Sequence, residues 1–205
     1  MNQMIKETAE KLLGRSIVKR DGIDIEKIEE MESILKIKLP EYLKEFYTKI
    51  GSINLFAKSF QRFLDIDELY FKGNKLVFLE ENQGVLIWGV NIKNVDPIVY
   101  ANNNVDNKWV SKKIKLSEFL NVIMYYQCAQ GWENCQFIKG LGNELNEIIN
   151  KMEKVVDSDS LVIYWENNVL LWYYTDEKNK IINDFIYISG LTEKKIEEFR
   201  SKYDI

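Results

Sequence analysis

Histidine is absent from all 205 residues, and this excludes more chemistry than any residue present suggests. No imidazole is on hand for Ser-His or Cys-His nucleophile pairs, for acid–base catalysis near neutral pH, or for a histidine-based metal centre. Prolines number two and glycines ten, too few for long linkers. The two cysteines, Cys128 and Cys135, have no Cys-x-x-Cys spacing. They read as small, partly buried apolar residues and not as a disulfide framework. No apolar run approaches the ~18 residues of a spanning helix. The N-terminal stretch MNQMIKETAEKLLGR carries acids and has no continuous apolar segment, so a signal peptide is not expected. These features place the chain in the cytoplasm, with no membrane association.

A basic block is missing too. Lys and Arg number 28 against 32 Asp and Glu, spread along the whole length, for a net charge of −4. Nothing stands ready to neutralise phosphates, so direct nucleic-acid binding is not expected. The mild acidity favours a basic partner, although solubility alone accounts for a charge of this size. Hydrophobic residues at 46% and aromatics at 13% are enough for a substantial core.

Helical periodicity opens the chain. Ile5, Ala9 and Leu12 share a face, with Gly14 suited to a left-handed cap. Asp24 is placed to cap a second helix bearing Ile28, Met31 and Leu35, which the Leu39-Pro40 pair should stop. Pro40 suits the first position of a third helix, whose stripe Leu43, Phe46, Tyr47, Ile50 ends at Gly51. Residues 53–70 fit a helix or an irregular segment equally well.

Strand patterns follow at Lys75–Glu80, Val85–Val90 and Pro97–Ala101, with a shorter strand around Trp109 and a turn at Gln83-Gly84. Ser117 can cap a helix through Gln127, and Leu145, Ile148, Ile149 and Met152 mark another. LVIYWE and VLLWYY, joined by Asn167-Asn168, predict a tight hairpin, because Asn tolerates positive φ. A strand over Lys180–Ser189 and a last helix with Ile196, Phe199 and Tyr203 inward close the chain. Without regular βαβ alternation the class is α+β: a curved, mainly antiparallel sheet flanked by helices, as a single domain. Residues 1–23 read as an N-terminal helical extension to a domain spanning 24–205.

With histidine excluded, enzymatic chemistry would fall on carboxylates. Three acidic clusters qualify: Asp65-Ile66-Asp67-Glu68, Glu80-Glu81, and Asp157-Ser158-Asp159. An Asp-x-Asp spacing can offer two oxygens to a hard cation. Each cluster nevertheless sits at a turn, strand end or helix start, where carboxylates serve backbone N–H groups or stay solvated. Gly140-Leu141-Gly142 has neither the fuller glycine pattern nor the lysine of a phosphate-binding loop. No cofactor and no metal site is expected. Of the five tryptophans, Trp88 and Trp172 fall in strands and read as core, whereas Trp109 and Trp132 lie near loops and suit exposed anchors for a protein partner.

Three pieces of sequence together resemble the SUKH superfamily. The first is Ile28-x-x-x-Glu32 followed by Leu39-Pro40-x-x-Leu43-x-x-Phe46-Tyr47 and Gly51. The second runs from Val77-Phe78 through Glu81-Asn82-Gln83-Gly84, Trp88-Gly89 and Asp96-Pro97-x-Val99-Tyr100. The third is Trp109 followed by Leu116-Ser117-Glu118-Phe119-Leu120. They cover residues 24–130, and their conjunction in order is more specific than any piece alone. Ile50-Gly51 departs from the Asn-Gly usual in members, which should affect only the local turn. Nothing after Gly131 matches; the hairpin and last helix there either complete the same sheet or form a small extension.

The resemblance implies a non-catalytic bacterial immunity protein that binds and neutralises a cognate toxin, nucleases being frequent targets in the family. As a second reading it admits a regulatory or scaffold module like the fungal cell-wall regulator of that superfamily. A carboxylate-based hydrolase is the third reading. For a partner-binding surface, the exposed ends of the central sheet point to Glu80, Glu81, Asp96, Asp106 and Trp109.

Overall fold

The computed structural model describes residues 4–103, 105, 107–139, 141–158 and 160–205. Asn104, Asp106, Gly140 and Asp159 lie outside the described residues, and with them one candidate binding residue, one acid of the Asp157 cluster and one glycine of the Gly-Leu-Gly turn. The chain forms two compact units, residues 1–9 with 16–124, and 10–15 with 125–205. Both are α+β, built on antiparallel sheets. Among the described residues no helix is long and apolar enough to cross a membrane.

Helix α1, Met4–Leu13, contributes to both units. Ile5, Ala9 and Leu12 are fully buried, as their spacing predicts, and Gly14 takes φ +62° just beyond. In the first unit, α2 (Ile25–Leu35) stops four residues short of Leu39. Lys36 ends it by adopting the left-handed conformation, φ 55°, and Ile37 N–H bonds back to the Glu32 carbonyl at 3.0 Å. This is a Schellman-type stop made by a lysine, so no glycine announces it in the sequence. Pro40 is the N-cap, not the first residue, of α3 (Glu41–Ile50), and its carbonyl accepts the Lys44 N–H at 3.0 Å. The α3 stripe Leu43, Phe46, Tyr47 and Ile50 is buried. Tyr47 donates its hydroxyl to the Leu64 carbonyl at 2.7 Å, and burial pushes its phenol far above the usual range.

The ambiguous stretch after Gly51 resolves into a short helix α4 (Asn54–Lys58) and strand β1 (Gln61–Phe63). β2 (Tyr70–Lys72), β3 (Lys75–Glu81), β4 (Ile87–Val90), β5 (Ile98–Asn102) and β6 (Trp109–Lys115) complete a six-stranded sheet in the order β1-β3-β4-β5-β6, with β2 also paired to β3. One face carries the aromatic core, and Val77 and Ile87 on the other are buried as well. Phe63 stacks on Phe46 with ring centroids 4.1 Å apart, and Phe78 and Trp88 pack against Phe119 of α5 (Leu116–Gly131).

Ser117 does not cap α5. Asp96 does: its Oδ1 accepts the Ser117 N–H at 2.9 Å and its Oδ2 the Ser117 hydroxyl at 2.8 Å, while Leu116 N–H reaches the Pro97 carbonyl at 2.9 Å. The Asp-Pro pair and the Leu-Ser pair, some twenty residues apart, are therefore two halves of one clamp.

In the second unit, β7 (Asn134–Lys139), β8 (Glu153–Ser158), β9 (Leu161–Glu166), β10 (Val169–Tyr174) and β11 (Phe185–Gly190) form a five-stranded sheet, ordered β7-β11-β10-β9-β8. They do not join the first sheet, which settles one of the two readings left open for this region. The β9–β10 hairpin turns at Asn167 and Asn168, φ 48° and 66°, as their tolerance of positive φ predicts. β11 starts five residues later than expected, because residues 182–184 form a 3-10 turn in which Asn183 and Asp184 have positive φ.

Helices α6 (Asn143–Ile149) and α7 (Glu193–Tyr203) cover one face, where Leu145, Ile148, Leu171, Ile186, Ile188, Ile196 and Phe199 make a continuous core. On the other face Ser189, fully buried, donates to the Ala129 carbonyl at 2.6 Å and accepts the Trp172 indole N–H at 3.0 Å. Two expectations are corrected here. Trp132, read as an exposed anchor, is buried with 6% exposure. Cys135, read as partly buried, is exposed, whereas Cys128 is buried and its thiol is pushed well up by desolvation.

Candidate functional site

Cross-strand partners in an antiparallel sheet share a face, and so do residues two apart along one strand. By the observed register, the first sheet's face away from Trp88 and Phe119 carries the row Arg62, Glu80, Ile87, Asn102, Trp109. Beside it runs the row Tyr70, Val77, Gly89, Tyr100, Ser111. Two residues named from sequence, Glu80 and Trp109, thus stand on one face in the same row, Trp109 at its end and Glu80 next to the other end. The other two described ones do not join them.

Glu80 is held by Arg62, whose Nε donates to Oε1 at 2.7 Å; a second guanidinium nitrogen pairs with the same oxygen, and a third with Glu68. Two carboxylates therefore converge, but on an arginine. Tyr70 lies in their field: burial and then the Glu80 carboxylate push its phenol above the usual range, with Arg62 acting the other way. At the far end the Trp109 indole N–H donates to the Lys72 carbonyl at 3.3 Å. Its ring lies across Gly89, where an added Cβ would fall 2.9 Å from the indole and 3.0 Å from the Leu76 carbonyl. That close approach is what the Trp-Gly pair provides. Lys75, itself buried, sets its ammonium 4.1 Å from the centre of the Tyr100 ring. Asn102, 1% exposed, has neither amide atom hydrogen-bonded, which leaves donor and acceptor capacity unused in the middle of the row.

Glu81 points to the opposite side, and its Oε2 is buried without a hydrogen-bond partner. Asp96 is fully engaged in the α5 clamp. The remaining acidic clusters are committed locally. Asp65 pairs with Lys58 at 2.8 Å, and Asp157 with Lys154 at 3.0 Å. Gly142 serves as N-cap of α6. Among the described residues no group of three or more His, Cys, Asp or Glu is placed to hold a metal ion.

A scan of protein-family models, a search of curated proteins and a search of solved structures each found no match.

Arg62, Tyr70, Lys75 and Asn102 were not singled out from sequence. Arg62 and Tyr70 lie in the stretch whose periodicity was ambiguous, and Asn102 reads as the start of an asparagine-rich loop. Only strand register reveals that they share a face with Trp109.

Proposed function

We propose that this chain is a SUKH-type immunity protein that binds and neutralises a cognate toxin, without catalysis of its own. The observation that carries the reading is that residues of each resembling motif hold separate joints of the first unit. Glu32, its side chain 2% exposed, accepts the Leu39 N–H at 2.8 Å, Lys38 at 2.9 Å and Lys44 at 3.2 Å, and so seals the Leu39-Pro40 corner. Gly89 seats Trp109, and Asp96 clamps Ser117. Motif residues that build a scaffold, and not a reactive centre, fit a family in which recognition resides on the surface. The face bearing Arg62, Glu80, Tyr70 and Trp109 offers aromatic anchors beside fixed charges, the combination that dominates protein–protein binding.

The regulatory or scaffold reading draws on the same face and differs only in the partner. The carboxylate-hydrolase reading gains nothing from acids that are tied to Arg62, Lys58 and Lys154. Co-expression with the toxin encoded beside this gene tests the proposal. Growth should be rescued, and the two purified proteins should form a complex. An active neighbouring toxin that kills regardless, and does not bind, overturns it.

A further inference from the structure

Sheet edges expose unpaired N–H and C=O groups, and proteins that remain apart blunt them with short strands, charges or bulges. Among the described residues the edges follow that rule, one of them much less than the others. On the first sheet, β1 and β2 are three residues each and carry Arg62 and Lys72. Opposite them, β6 carries Lys112, Lys113 and Lys115, with Lys113 at φ 56° and a register shift against β5. On the second sheet, β8 carries Glu153, Lys154 and Asp157 and has a register shift between Lys154 and Val156.

Among the described residues β7 is the least protected: it has no bulge, and its one charge, Lys139, is its last residue. Its pairing with β11 runs through six residue pairs without a shift, and residues 134–138 include no charge and no proline. Cys135, Gln136 and Phe137 on this edge are exposed, Phe137 at 64%. Phe137 also begins an aromatic series on the face away from α6 and α7: its ring centroid is 6.0 Å from Phe185, Phe185 is 6.5 Å from Tyr187, and Tyr187 stacks on Trp172 at 4.3 Å.

We propose that β7 pairs antiparallel with β7 of a second copy of this chain, joining two five-stranded sheets into one of ten. A two-fold axis perpendicular to the sheet keeps like faces together, so paired positions must have an even sum. Centring on Gln136 satisfies this and is self-complementary. Phe137 falls opposite Cys135 of the other copy, twice, which sets a thiol against an aromatic ring and joins the two aromatic series. Gln136 meets its own equivalent; its Oε1 already accepts from Arg200 at 2.9 Å, and its amide N–H groups remain to donate. A run without acids or bases over residues 134–138 favours such a partner over one steered by charge. This inference does not depend on the function proposed above.

Analytical ultracentrifugation of the full chain should show a dimer. Phe137→Asp and, separately, Cys135→Lys should each weaken it about tenfold or more, with the melting temperature of the monomer unchanged because both side chains are exposed. If Phe137→Asp alone destabilises the fold, Cys135→Lys decides. Phe137→Cys tests the register: mild oxidation should give a covalent dimer through the introduced thiol and Cys135 of the other copy, and Cys135→Ser should abolish it. A wild-type chain that stays monomeric at its highest soluble concentration overturns the proposal. So does a dimer indifferent to both charge variants.

Discussion

Glu32 offers the sharpest test of how this fold is held. Its carboxylate lies in the corner between α2 and α3 and accepts from one buried backbone N–H, Leu39, and from the ammonium groups of Lys38 and Lys44. Burial alone would raise its pKa, but these three donors outweigh that and hold the carboxyl below its ordinary range. Glu32→Ala strands the Leu39 N–H and removes the partner of the half-buried Lys44. A stranded buried donor costs about 1–3 kcal/mol and a hydrogen bond to a charged group about 1.5–3 kcal/mol. These overlap, and Lys38, fully exposed, adds nothing countable, so the total expected is about 2–4 kcal/mol.

Glu32→Gln keeps an oxygen for Leu39 and loses only the charge, so about 1–2 kcal/mol is expected. The sign with pH follows from the lowered pKa. The carboxylate's contribution is complete above its unfolded value of about 4.3 and fades as pH falls through its lower folded value. Urea unfolding followed by circular dichroism should therefore show Glu32→Gln less stable than wild type at neutral pH, with the gap closing in acid. A Glu32→Ala variant within about 0.5 kcal/mol of wild type, the range of an ordinary surface change, would refute the reasoning. A Gln deficit that persists unchanged in acid would refute the electrostatic part.

Two further substitutions probe the two sheets. Gly89→Ala forces a methyl into the Trp109 ring and the Leu76 carbonyl, so thermal melts should show a loss of about 1–3 kcal/mol, with Trp109 fluorescence shifted as the ring is displaced. Ser189→Ala leaves the Trp172 indole N–H without its acceptor and the Ala129 carbonyl without a donor. A loss of about 2–3 kcal/mol is expected in denaturant unfolding; a neutral outcome would mean that both groups find other partners.

Strong local preferences were legible without coordinates. The stripes of α1 and α3, the Asn167-Asn168 hairpin and the glycine at position 14 follow from side-chain spacing and φ preference, which need no distant partner. Where the decisive contact was remote, local reading failed. The α2 stop rests on a lysine in a left-handed conformation, and the α5 cap comes from Asp96, across a strand pair. β7 and β8 lack alternation and showed no strand signal, because their neighbours in the sheet and not their own pattern make them strands. The candidate face was half visible. Glu80 and Trp109 could be named from position, but their placement on one row with Arg62 and Asn102 is a property of register.

The sequence by itself determined the class of the fold, the helical stripes that bury against it and the chemistry closed to a chain without histidine. The tertiary structure alone decided that the strands divide into two sheets, that Trp132 is buried while Cys135 is exposed, and which acids are tied to cations. The reason is physical. Periodicity and backbone preference act within a few residues, whereas burial, strand order and ion pairing are fixed by groups far apart in the chain that meet only after folding.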